Sequence, residues 1–154
     1  MKIYNNLKIK KKHKNSVVAI GNFDGLHKGH QKVLKEAKKK ATKNKLPFGL
    51  ITFEPLPVMF FNPKIENHRI NSIEQKKIQL KKLNLDFLII IKFNKVFSSL
   101  TAKEFVKKIL YEKIRCNFLF VSKNFQFGKK RKGNINTLQQ LENFYKFKTI
   151  ITPP

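Results

Sequence analysis

The sequence predicts an α/β domain: a five-stranded, mainly parallel sheet with helices on both faces. Three observations carry this. Short apolar, β-branched runs alternate with longer segments whose apolar residues recur at helical spacing. Helix-start signals stand at several of the junctions. The chain has 154 residues, 41% of them apolar, enough to bury one such sheet in one domain.

The elements follow in order. Residues 1–15 read as a basic, irregular lead-in, and residues 16–154 as the domain. Val17 to Ile20 is a buried strand ending at Gly21. From Gly29 to Lys43, Val33, Leu34, Ala37 and Ala41 mark one face of a helix, with lysines opposite. Phe48 to Phe53 is the second strand, and Pro55, Pro57 and Pro63 stiffen the loop after it. Ser72-Ile73-Glu74-Gln75 is a capping box for a helix carrying Ile78, Leu80 and Leu83. Phe87 to Ile91 is the third strand. Thr101-Ala102-Lys103-Glu104 is a second capping box, leading a helix through Phe105, Val106, Ile109 and Leu110. Phe118 to Val121 is the fourth strand, Leu138 to Tyr145 a short helix and Phe147 to Ile151 the fifth strand. Strands separated by helices of this length pair in parallel through right-handed crossovers. Ligands of such sheets bind beyond the carboxyl ends of the strands. That rule gathers the segments after Gly21, Phe53, Ile91 and Val121 on one edge.

Composition narrows the setting. No apolar run approaches the roughly 20 residues that span a bilayer, and Lys2, Lys8, Lys10, Lys11 and Lys12 interrupt every early apolar stretch. The single cysteine, Cys116, reads as a small core residue, so a cytoplasmic, reducing setting is expected. The net charge of +25 invites a nucleic-acid reading. The only arginines, however, are Arg69, Arg115 and Arg131, and arginine is the residue suited to bidentate phosphate and base contacts. Abundant lysine together with Asn, Ile and Phe fits the drift of an AT-rich genome. A specific nucleic-acid partner is therefore not expected, nor is a membrane.

The chemistry concentrates in Gly21-Asn22-Phe23-Asp24-Gly25-Leu26-His27-Lys28-Gly29-His30. Gly21 and Gly25 allow tight backbone shapes, and Gly29 stands where the helix begins. The N–H groups of that helix start attract phosphate. His27 and His30, three residues apart, can face one phosphoryl group and donate to its equatorial oxygens. No third ligand of suitable spacing accompanies them, which argues against a metal site. Spacing alone leaves a phosphate site and a purely structural turn both open.

That ten-residue segment resembles the G-N-F-D-G-x-H-x-G-H segment of the bacterial FAD synthetase family, the adenylyltransferase half of bifunctional riboflavin kinase/FMN adenylyltransferases. Thr52-Phe53-Glu54-Pro55-Leu56-Pro57 resembles the family's T-F-x-P-x-P stretch. Phe93, Phe97, Leu100, Thr101 and Phe105 fit a third pattern, and Asn124-Phe125-Gln126-Phe127-Gly128 with Arg131 and Gly133 a fourth. The resemblance spans roughly residues 16–152 and implies a Rossmann-like nucleotidyltransferase fold. It also implies a reaction: FMN attacks the α-phosphate of ATP, with Mg²⁺, to give FAD and pyrophosphate. On this resemblance His27 and His30 are catalytic. Gly21, Asn22, Phe23, Asp24, Gly25, Gly29, Asn124 and Arg131 bind the nucleotide, and Phe53, Pro55, Pro57 and Phe127 the flavin. Phe125 reads as core.

Three departures qualify this. The family continues past the fifth strand into an S-S-T-x-x-R segment, whereas this sequence stops at Pro153-Pro154. Nothing in it corresponds to the family's riboflavin kinase barrel. Ser122 stands where the family has glycine. The resemblance then implies either a shortened FMN adenylyltransferase, completed by a second polypeptide, or a remnant that binds nucleotide or flavin without turnover.

Overall fold

The computed structural model describes residues 1–23, 28–62 and 73–152. Its centre is a six-stranded sheet in the order β1-β4-β3-β2-β5-β6, and every neighbouring pair runs parallel. The strands are β1 (Lys2–Tyr4), β2 (Ser16–Ile20), β3 (Phe48–Glu54), β4 (Phe87–Lys92), β5 (Cys116–Ser122) and β6 (Lys148–Thr152). The expected parallel sheet with helices on both faces is present, with six strands rather than five. The additional one, β1, comes from the lead-in. At three residues with one lysine it carries too little pattern to be read as a strand, and its pairing with β4 supplies what its sequence does not.

The helices are α1 (Lys28–Asn44), α2 (Pro57–Phe61), α3 (Ile73–Lys81), α4 (Lys95–Ser98), α5 (Ala102–Glu104) and α6 (Ile135–Tyr145). The α5 helix continues directly as a π-helix over Phe105–Ile114. Two apolar layers sandwich the sheet. On one face Leu34, Ala37 and Ala41 of α1 and Leu80 of α3 pack on Val17, Ala19, Leu50 and Leu88. On the other, Phe105, Val106, Ile109, Leu110 and Ile114 pack with Leu138 and Tyr145 of α6 on Val18, Ile20, Ile51, Ile89 and Leu119. Each strand thus contributes alternate residues to opposite layers, as the pleat requires. The 105/109/114 rhythm of buried positions suits the wider π turn, where residues about four to five apart share a face.

Local signals explain the boundaries. The Thr101 hydroxyl accepts the Glu104 N–H at 3.1 Å, and the Glu104 carboxylate accepts the Thr101 N–H at 3.1 Å, the expected capping box. Asn134 and Thr137 form a further one, starting α6 three residues earlier than apolar spacing alone suggests. Ser72, of the other expected box, lies outside the described residues, as does Pro63. The Pro55–Pro57 segment is not all loop, since Pro57 opens α2, where a missing N–H costs nothing. Helix α3 keeps part of its expected face: Leu80 is buried and Leu83 packs against the same layer, whereas Ile78 is 61% exposed and Lys76 is buried. Glycine is needed at position 49 in β3, where an added Cβ would lie 2.1 Å from the Phe87 ring.

The sheet places the site. From β2 the chain proceeds outward through β3 to β4, then returns to the far side of β2 for β5 and β6. The carboxyl ends of β2 and β5 therefore flank the switch point at which a crevice opens.

Candidate active site

Two cavities occupy that edge. The larger, of about 440 Å³, is lined from the β2 end by Ile20, Gly21 and Asn22, from β3 by Phe53, and from the segment after β5 by Ser122, Asn124, Phe125 and Phe127. The smaller, of about 270 Å³, is lined by Gly21, Asn22, Phe23, His30, Val33, Phe120, Ser122 and Thr152. Ile20, Gly21, Asn22 and Ser122 border both. The first two residues of the turn singled out from the sequence, Gly21 and Asn22, thus belong to the wall the two cavities share.

The larger cavity is aromatic. Seven phenylalanines line it: Phe53, Phe61, Phe93, Phe97, Phe105, Phe125 and Phe127. Their rings form a continuous chain of edge and tilted contacts, with centroid spacings of 5.7 Å for Phe61–Phe93, 5.4 Å for Phe93–Phe97 and 6.1 Å for Phe97–Phe105. Phe105–Phe127 follows at 5.3 Å, and Phe127 stacks on Phe125 at 5.3 Å with 16° between planes. Separations of this kind suit the quadrupoles of the rings. Phe97 is aimed by its cap: Asn94 accepts the Phe97 N–H at 2.8 Å and starts α4. Phe53 meets both Phe93 at 5.9 Å and Phe97 at 5.8 Å. Lys130 and Arg131 add cations at the rim, and no lining residue among those described is Asp or Glu.

The loop holding Arg131 is shaped by two glycines. Gly128 has φ of 78°, and a Cβ there would meet the Ala102 backbone N at 2.7 Å. At Gly133 a Cβ would meet the Phe127 carbonyl oxygen at 2.7 Å. Phe127 and Gly133 exchange both backbone hydrogen bonds, at 3.1 and 2.8 Å, and Lys129 donates its N–H to the Leu100 carbonyl at 2.7 Å. The segment is therefore clasped against the start of α5, with Lys130 and Arg131 in left-handed conformations at φ near 55°.

Of the residues expected at the site, Gly21, Asn22, Phe53, Pro57, Asn124, Phe127 and Arg131 line the larger cavity. Phe23 and His30 line the smaller, their rings 5.3 Å apart and edge-on. Phe23 is 6% exposed, so its side chain belongs to the core while its backbone forms the turn. Gly29 is half-buried in the first turn of α1. Pro55 borders neither cavity; it follows a cis peptide after Glu54. Asp24, Gly25 and His27 lie outside the described residues. Phe125, read as core from the sequence, lines the larger cavity, as does Ser122. Phe61 and Lys130 line it too, without any motif in the sequence to mark them. The signal available was abundance: 15 phenylalanines and no tryptophan.

The FAD synthetase family model matches residues 9–154. The chain belongs to the FAD synthetase family. Among curated proteins it is 43% identical, over 142 residues, to the bifunctional riboflavin kinase/FMN adenylyltransferase of Buchnera aphidicola subsp. Schizaphis graminum, covering 92% of this chain and 46% of that protein. It is 33% identical to the protein of the same name from Escherichia coli K12, covering 85% of this chain and 42% of that one. The chain thus spans about half the length of the curated relatives it matches. Among solved structures, one described as a macrolide-efflux protein from Streptococcus pneumoniae superposes with a TM-score of 0.80 at 30% identity, covering 99% of this chain and 49% of that one. The pantothenate synthetase of Thermus thermophilus shares the fold alone, with a TM-score of 0.59 at 11% identity over 99% of this chain and 62% of that one. No helix among the described residues is long and apolar enough to cross a membrane.

Proposed function

We propose that this FAD synthetase domain transfers the adenylyl group of ATP to FMN, giving FAD and pyrophosphate. The observation that carries the reading is the shared wall: an aromatic cavity and a smaller cavity beside His30 meet at Gly21-Asn22 and Ser122. The isoalloxazine ring of FMN is flat, with an apolar dimethylbenzene end, and the phenylalanine chain offers it stacking and edge contacts. The second substrate, ATP, enters from the α1 side, where the helix start and the turn offer backbone N–H groups to phosphate. The two substrates then bring their phosphates to the same backbone.

In that arrangement an oxygen of the FMN phosphate attacks the α-phosphorus of ATP. The bond from that phosphorus to the bridging oxygen of the β-phosphate breaks, and pyrophosphate leaves. No protein nucleophile is needed; position and charge stabilisation suffice. His27 and His30 donate to the equatorial oxygens as charge accumulates there. Arg131 and Asn124 close the opposite edge over the flavin phosphate. Mg²⁺ is expected to arrive with the triphosphate, whose oxygens bind this ion in such sites.

The test is direct. Purified protein with FMN, ATP and Mg²⁺ should form FAD, resolved from FMN by chromatography. Flavin binding without any FAD above a protein-free blank would overturn the reaction and leave a binding domain.

A further inference from the structure

A lysine buried this deeply needs polar partners, and Lys76 of α3 is 1% exposed. It shares the inward face with Leu80, one helical turn on, at a position where an aliphatic side chain would cost far less to desolvate. Its neighbour Lys77 takes the ordinary role outside, paired with Glu74 at 3.2 Å. The Lys76 Nζ reaches the turn after β2, 54 residues away in sequence, and donates to the Asn22 carbonyl at 2.6 Å. The hydroxyl of Thr52, itself fully buried, donates to the same oxygen at 3.2 Å and stands 3.5 Å from Nζ.

This grip falls on a strained piece of backbone. Phe23 has φ of 49°, the left-handed region that a phenylalanine avoids. Such conformations persist where the surroundings over-determine them, and they concentrate at ligand sites. The peptide between Asn22 and Phe23 is planar and trans, so its C=O and N–H point opposite ways. Drawing the carbonyl inward to Lys76 and Thr52 turns the Phe23 N–H away from α3 and β3.

We propose that Lys76 is a positioning residue for the adenylyl-transfer site: with Thr52 it holds the Asn22 carbonyl inward and thereby presents the Phe23 N–H as a donor to the triphosphate of ATP. This rests on the assignment of ATP to the turn. Lys76 does not touch the nucleotide; it acts through one peptide plane. The aromatic cavity shares Gly21 and Asn22 with the smaller one but draws its phenylalanine rings from other segments, so loss of Lys76 should weaken ATP binding more than flavin binding.

The experiment compares wild type with Lys76→Met and Thr52→Val by calorimetric titration with ATP, by flavin fluorescence with FMN, and by the Phe23 amide resonance in a ¹⁵N-labelled sample. Losing a hydrogen bond to a charged phosphate weakens binding by roughly 10-fold or more. Lys76→Met should lose ATP affinity by that factor, hold FMN affinity within about 3-fold, and abolish the ATP-induced shift of the Phe23 amide. Thr52→Val should show the same selectivity at smaller size. Unchanged ATP affinity in a folded Lys76→Met protein, or equal loss of ATP and FMN affinity, overturns the proposal. If Lys76→Met does not fold, Thr52→Val decides by the same criteria. A wild-type protein that binds ATP but makes no FAD fails the parent reading alone; one without ATP affinity overturns both.

Discussion

The Tyr4 hydroxyl and His13 Nδ1 share a hydrogen bond of 2.6 Å, and the same hydroxyl accepts the Lys10 N–H at 3.1 Å. Burial holds the His13 pKa below its ordinary 6.5, with Lys12 acting in the same direction and Asp86 against it. The folded chain therefore binds this proton less readily than the unfolded one, and stability falls as pH drops below the unfolded value. The melting temperature should decrease between about pH 7.5 and 5.5, and His13→Gln should flatten that decrease. Tyr4→Phe, which leaves Nδ1 without its partner, should cost about 0.5–1.5 kcal/mol in denaturant unfolding at neutral pH.

Phe97 stands at the middle of the aromatic chain, touching Phe53, Phe93 and Phe105. Phe97→Leu keeps the bulk and removes the ring. FMN affinity, read from flavin fluorescence, should fall by about 2–10-fold, the worth of one aromatic contact. ATP affinity should stay unchanged, because Phe97 does not border the smaller cavity.

His30 lines the smaller cavity beside Phe23. His30→Ala and His27→Ala should each lower FAD synthesis by roughly 100-fold or more, as expected for loss of a preorganised donor to developing charge. FMN affinity should persist in both. A rate within a few-fold of wild type would remove that histidine from the mechanism.

Cys116 is buried at the start of β5, and burial pushes its thiol pKa up to about 12. The thiolate is the reactive form. Ellman's reagent should leave the native protein unmodified at neutral pH and titrate one thiol after denaturation. Rapid labelling of native protein would contradict the packing of β5 against β2.

Much of this architecture is readable because period and punctuation agree. The runs at residues 17–20, 48–53, 87–91 and 118–121 are apolar on both faces, as a sheet covered on both sides requires. Thr101 and Glu104 mark a helix start chemically, and they form one. What escapes has physical reasons. Lys2–Tyr4 is a strand only because β4 presents an open edge beside it. Phe93, Phe97 and Phe127 match family patterns, but that they join Phe61 and Phe125 around one cavity depends on four separate chain segments meeting. Lys76 is invisible among its lysine neighbours, because burial is a property of position and not of residue type. His13 looks like loop decoration in the sequence and is instead a core residue stacked on Phe87 at 4.9 Å.

The three residues of β1 have a consequence beyond completing the sheet. Phe87 to Ile91 are all buried and none is charged, so with β1 removed β4 would expose a flat, apolar edge of unsatisfied N–H and C=O groups. Such an edge recruits strands from other molecules and seeds aggregation. Lys2–Tyr4 occupies it, and the strand that takes over the edge is only three residues long and begins with a lysine, two devices that blunt an edge. The same few residues that look expendable in sequence cover an edge that would otherwise be open to pairing.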